Sequence, residues 1–256
     1  MCLVKPYYRI TRPGAFIPDY VLDKRYASDR IQLSRAYISI EKSLRDIFQY
    51  IEPDESNAST FSFELFSLLL RACTEVELNC KQILVANGVS RENDYFTMRD
   101  YKKIEASSKL SGYKAIYRNW RKTIDKHIQY ENKELVPFAN FSRGKSPGWY
   151  SAYNRVKHNR EINFKEANLN NCMNAVAGIL VLLYSQFGSQ CIETYGMNRM
   201  TWQVETDEDM IFDANVIFEI VPPPKSVWTE NEKYKFDWNS LKNMDTPFEK
   251  FNFDEV

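Results

Sequence analysis

The stretch 61-FSFELFSLLLRACTEVELNCKQILVANG-88 decides the fold class. Leu65, Leu69, Ala72 and Cys73, Val76, Cys80, and Ile83 with Leu84 recur at i, i+3, i+4 and i+7, one stripe of an α-helix. Ser59 or Thr60 is the expected cap at its start, and Gly88 after Asn87 fits a left-handed C-cap. Upstream, Ile31, Ile38, Leu44, and Ile47 with Phe48 keep helical spacing from a cap at Ser28 to Ile51, and Pro53 ends the pattern. Downstream, Gly148 opens WYSAYNRVKHNR, with Trp149, Ala152, Tyr153 and Val156 on one buried face. After a break at 161–164, Lys165–Phe187 reads as a central helix through Met173, Val176, Leu180, Leu183 and Tyr184.

These four helices predict a mainly α protein with a four-helix core over residues 28–187. Residues 1–27, with Pro6, Pro13, Gly14 and Pro18, read as an irregular arm over that core. Residues 88–148 form an insertion of mixed structure: a short helix near 94–106, then KAIYRNWRKTIDKHIQY as two short strands or an irregular segment. Residues 188–256 read as a small C-terminal β-hairpin, in TWQVETDEDMIFDANVIFEIVPPP around the acidic turn TDED, followed by a tail. That tail carries Trp228, Tyr234, Phe236, Trp238, Phe248, Phe251 and Phe253, too many rings for a disordered segment, so it is expected to lie on the bundle.

Composition excludes several functions. Of 256 residues, 34 are Lys or Arg and 34 are Asp or Glu, so the formal net charge is zero and no general basic coat for nucleic acid exists. Glycine numbers only 8, and neither G-x-G-x-x-G nor G-x-x-x-x-G-K-[ST] occurs, which removes the two common phosphate-cradling loops. G-x-S-x-G is absent as well. Two histidines, His127 and His158, and five scattered cysteines without C-x-x-C supply no metal-ligand pattern, so neither metal nor cofactor is expected. The thiols read as reduced core residues of a cytoplasmic protein. The N-terminus lacks the pattern of a secretion signal, and the apolar run Ala175–Tyr184 is too short to span a bilayer, so no membrane association is expected.

The richest chemical cluster is 153-YNRVKHNR-160. On a helix, Ser151, Asn154, Arg155 and His158 share one face, which puts an amide, a guanidinium and an imidazole side by side. A guanidinium grips phosphate oxygens in a fork, and an imidazole moves protons near neutral pH. The plain structural alternative has Asn154 and His158 bonding nearby backbone, with Arg155 and Lys157 solvated. A second basic stretch, Lys102, Lys103, Lys114, Arg118, Arg121, Lys122 and Lys126 among Tyr113, Tyr117 and Trp120, offers charge with stacking rings to single-stranded RNA, or else is a solvated insertion.

The long helix with RACTEVE, the WYSAYNRVKHNR helix after an insertion, and the final apolar helix together resemble the HEPN superfamily over roughly residues 28–187. The resemblance implies an up-and-down helical bundle that dimerises and cleaves RNA without metal, in a bacterial protein of the kind tied to phage defence or stress. His158 would be the general acid and base, Arg155 the phosphate grip and Asn154 its orienting partner. Lys157, Arg160, Tyr153 and Glu75 would contact substrate. Two residues separate Arg155 from His158 where the family places four to six. Arg121 and His127 have five between them but lie in the insertion. A non-catalytic helical module that binds a protein partner is the competing expectation.

Overall fold

A computed structural model describes residues 4–14, 18–192 and 217–256 of the chain. Its helices are α1 (Pro18–Leu22), α2 (Arg30–Ile47), α3 (Phe63–Ala86), α4 (Met98–Tyr101) and α5 (Ile104–Ser108). Strands β1 (Lys114–Ile124) and β2 (His127–Leu135) follow, then α6 (Gly148–His158), α7 (Arg160–Asn163), α8 (Leu169–Phe187), β3 (Phe218–Val221) and α9 (Trp238–Leu241). The protein is mainly helical, with one small antiparallel sheet in the order β2-β1-β3.

Among the four longest helices, α3 against α8 is the largest interface, and α2 and α6 each touch both. The stripe that predicts α3 is fully used: Leu65, Leu69, Ala72, Cys73, Val76, Cys80, Ile83 and Leu84 have essentially no exposure. Each large aliphatic side chain buried there contributes roughly 1.5–3 kcal/mol. Helix α8 is buried on nearly every side from Ala175 to Phe187. It is long and apolar enough to cross a membrane by composition, but 89% of that window lies inside the protein, where α2, α3 and α6 cover it.

Helix ends differ from expectation by a few residues. Asp29 rather than Ser28 precedes α2, which stops at Ile47. Ser62, not Ser59 or Thr60, caps α3 by accepting from the Leu65 N–H at 3.1 Å. Several small polar residues compete there, and the winner is the one whose oxygen reaches the third residue of the first turn. Gly88 does take the left-handed conformation expected of it, at φ +91°. The expected single helix near 94–106 is two, α4 and α5, and α8 begins at Leu169 rather than Lys165, with the Asn168 side chain as its cap. The break after α6 falls at Asn159 (φ −147°, ψ 78°), earlier than the expected 161–164.

Within the insertion, β1 and β2 form a hairpin whose turn residues, Asp125 and Lys126, both have positive φ (50° and 67°), the backbone of a type I′ turn. Asn119, at φ 63°, accompanies a register shift between Tyr117 and Trp120. The third strand, β3, pairs antiparallel with Lys114–Tyr117 of β1. Most of the expected hairpin around TDED lies outside the described residues. The one described strand from that region, β3, has β1 for its neighbour.

The N-terminal arm and the C-terminal tail are sewn together. Tyr8 N–H donates to Glu249 O at 3.1 Å and Glu249 N–H to Pro6 O at 3.0 Å. Tyr234 N–H reaches Pro13 O at 2.9 Å, and its hydroxyl donates to Ile10 O at 2.8 Å. Asn87, just past α3, ties both segments to the bundle through Tyr8 O and the Phe251 N–H, each at 2.8 Å. Trp228, Tyr234, Trp238, Phe248 and Phe253 are buried in this layer. Gly14 is required where the two cross: a Cβ there would lie 2.1 Å from Tyr234 O, and its φ is +118°.

Candidate functional site at the α6–α7 corner

Helix α6 forms because Trp149, Tyr150, Ala152, Tyr153 and Val156 bury one face, and it ends where Asn159 leaves helical geometry. Asn159 then accepts from the Ile162 N–H at 3.5 Å and so starts α7. Asn163 donates its side-chain amide back to Asn159 O at 2.9 Å and Arg155 O at 3.3 Å, carbonyls that also accept the Asn163 and Asn159 backbone N–H groups. Arg155, Lys157 and His158 thus occupy the last turn, where the helix dipole favours cations.

The cluster read from the sequence divides on this frame. His158 is exposed, and its imidazole has no hydrogen-bonded protein partner among the described residues. Asn154 is half-buried one turn earlier. Arg155 forks onto Glu166, with Nε 2.8 and 2.9 Å from the two carboxylate oxygens and Nη2 on Oε2. That fork, chiefly through its hydrogen bonds, holds the Glu166 carboxyl below the usual glutamate range. Lys157 Nζ donates to the Tyr153 hydroxyl at 3.1 Å and lies 5.2 Å from its ring centroid, so Tyr153 is a buried prop under Lys157 rather than an open platform. The hydrogen bond to Tyr153 raises the Lys157 pKa, and the Glu77 carboxylate adds to the effect. Arg160 lies over Phe63 and Phe66, 5.5 and 5.4 Å from their ring centroids.

Glu75 stands apart from this group. It lines a groove between α2 and α3 with Ala36, Ser39 and Arg71, and its Oε2 is buried without a hydrogen-bond partner. Burial pushes its carboxyl up, against the pull of Arg71. Arg71 itself donates to Ser43 Oγ at 3.0 Å and Ser39 Oγ at 3.2 Å, so neither an ion pair with α6 nor the simple i, i+4 pair with Arg71 forms. The glutamate that does face α6 is Glu77, which accepts from the Tyr150 hydroxyl at 2.6 Å. Two residues along a helix turn the side chain to another face, and that spacing distinguishes Glu75 from Glu77. Glu166 has no comparable signal, since it lies beyond two helix breaks from Arg155.

Of the seven cations in the basic stretch of the insertion, four are paired with carboxylates among the described residues, and Lys102, Lys103 and Lys126 are not. Lys114 pairs with Glu134 at 3.1 Å, Lys122 with Glu131 at 2.7 Å and Arg121 with Asp54 at 2.5 Å, while Arg118 forks onto Glu219. Lys102 and Lys103 donate to Gly144 O and Phe253 O. The rings are occupied too: Trp120 is buried with its N–H on Glu55 at 2.9 Å, and Tyr117 meets Phe48, Trp120 and Phe218. His127 sits exposed at the start of β2, opposite Ile124, while its sequence companion Arg121 is bound to Asp54.

Cys73, Cys80, Cys172 and Cys191 are buried, and burial raises the thiol pKa of the first three. Among the described residues no three His, Cys, Asp or Glu side chains are grouped to hold a metal ion. No protein-family model, curated protein or solved structure matches the chain.

Proposed function

We propose that the α6–α7 corner is an RNA-contacting surface, and that the chain is a HEPN-like, metal-independent endoribonuclease of the phage-defence or stress type. The observation that carries this reading is an exposed His158, flanked in sequence by exposed Lys157 and Arg160, on a corner fixed by the Asn159 and Asn163 side chains. His158 would take the proton of a ribose 2′-hydroxyl as that oxygen attacks the adjacent phosphorus. The P–O5′ bond breaks, the departing 5′-oxygen receives a proton, and a 2′,3′-cyclic phosphate remains. Lys157 and Arg160 would offset charge building on the phosphate oxygens, with Asn154 orienting. Arg155 would join them by exchanging Glu166 for phosphate. A C2 homodimer in an up-and-down bundle would set two such corners together.

The Arg155–Glu166 fork favours a second reading, in which the corner is a non-catalytic docking module for a protein partner and its polar residues hold α6 to α7. Incubation of wild type and His158→Ala with total RNA and tRNA in EDTA separates the two. Cleavage by wild type alone, with cyclic phosphate ends, is the expected result. Absence of cleavage by a folded wild type rejects the nuclease.

A further inference from the structure

A cavity of about 150 Å³ opens where the N-terminal arm, the end of α8 and the proline run 222–224 meet. Arg12 lines it, and only 6% of that residue is exposed. Its Nε donates to Ser107 O at 3.1 Å and its Nη1 to Glu232 O at 3.3 Å, both neutral carbonyls, and Nη2 has no protein acceptor among the described residues. Three rings enclose the guanidinium: Tyr7, Trp228 and Phe251, at 5.2, 5.3 and 5.5 Å. No carboxylate among the described residues pairs with it. The nearby Glu232 carboxylate is taken by Lys109 at 2.9 Å and by the N–H and hydroxyl of Thr229.

A buried charge is costly unless it is paired and fully hydrogen-bonded. Lys225, exposed and without an ion pair among the described residues, lines the same cavity. The buried Trp228 lines it too, and its indole N–H has no protein acceptor among the described residues. Tyr113, Tyr184 and Pro223 supply flat, largely apolar walls. Among the described residues, the charged side chains that line this cavity, Arg12 and Lys225, are both cationic, and its walls suit a ring.

We propose that this cavity binds a small organic anion, a phosphate or carboxylate carried on a single planar ring. The anionic head meets Arg12 and Lys225, and the ring lies against Trp228. The proposal is independent of the α6–α7 corner. The test is titration of the full chain with phenyl phosphate, benzoate, adenosine monophosphate and inorganic phosphate, followed by tryptophan fluorescence and thermal melting.

Phenyl phosphate or benzoate should raise the melting temperature and quench fluorescence, with the quench lost in Trp228→Phe. Arg12→Gln should abolish binding. Because Arg12 also holds two carbonyls, Lys225→Glu at the exposed edge serves as a variant that keeps the fold, and it should weaken binding at least tenfold. Adenosine monophosphate, with its phosphate on a ribose and a fused double-ring base, should bind more weakly than phenyl phosphate, and tighter binding overturns the single-ring assignment. Inorganic phosphate binding as tightly as phenyl phosphate overturns the proposal, as does absence of binding by all four probes at millimolar concentration. Binding unaffected by Lys225→Glu overturns it too.

Discussion

The α6–α7 corner and the arm–tail seam hold their cations in opposite ways. At the corner, Arg155 is 52% exposed by side chain and has a carboxylate in its fork, while at the seam Arg12 is almost fully enclosed and has none among the described residues. The corner draws attention in the sequence because its polar residues recur at helical spacing. The seam has no pattern at all. Spacing reveals which side chains share a face, but the electrostatic state of a cation depends on what the rest of the chain brings to it. A self-satisfied cation in water contributes little, whereas an unanswered one in a cavity constrains what can enter.

The largest effect that would test this contrast is at the seam. Gly14→Ala places a methyl against Tyr234 O in a backbone conformation that side chains avoid, and should destabilise the fold by about 3 kcal/mol in denaturant titration. A loss under about 1 kcal/mol would show that the seam is loosely held and would weaken any argument from its enclosure. At the inner edge of the corner, Tyr150→Phe deletes the bond to Glu77 and should cost about 1 kcal/mol, with an unchanged denaturant slope.

The smallest effect on stability, and the sharpest on the comparison, belongs to Glu166→Gln. The fork is solvent-exposed, so its loss should cost under about 1 kcal/mol. It should nevertheless free Arg155 and tighten binding of a short single-stranded RNA measured by fluorescence anisotropy; unchanged affinity would remove Arg155 from the proposed surface. The pH dependence has a definite sign. The Glu166 pKa is depressed in the folded state, so the contribution of the fork is complete above the ordinary glutamate value of 4.5. It is lost as pH falls through the depressed value, and the fork is therefore closed at neutral pH. Stability curves of wild type and Glu166→Gln should converge on the acid side.

Much of the bundle is legible because its information is local. A 3.6-residue stripe identifies α3 and α8 without reference to any other segment. The caps are less legible because Ser28 competes with Asp29, and Ser59 and Thr60 with Ser62, and the choice depends on where the chain enters the core. The β1–β2 turn lacks glycine, so Asp125-Lys126 carries only a weak turn signal. At the site, the shared face of Asn154, Arg155 and His158 follows from spacing, but Glu166 enters from a separate element. The basic stretch of the insertion misleads in part for the same reason: Arg118, Trp120 and Arg121 find Glu219, Glu55 and Asp54 at separations of 65 to 101 residues, while Lys114 and Lys122 pair across the hairpin with Glu134 and Glu131.

The crossing at Gly14 also sets an order of events. Residues 4–14 dock on the bundle through Asn87 and Ser185, but the strand-like contact on their other side is supplied by residues 234–251, so that side stays open until a segment about 220 residues later has been made. Until then the Arg12 guanidinium has neither its ring enclosure nor its Glu232 carbonyl. The bundle can gather from local helices, whereas closing the layer that contains the cavity is a long-range step in which distant parts of the chain must meet.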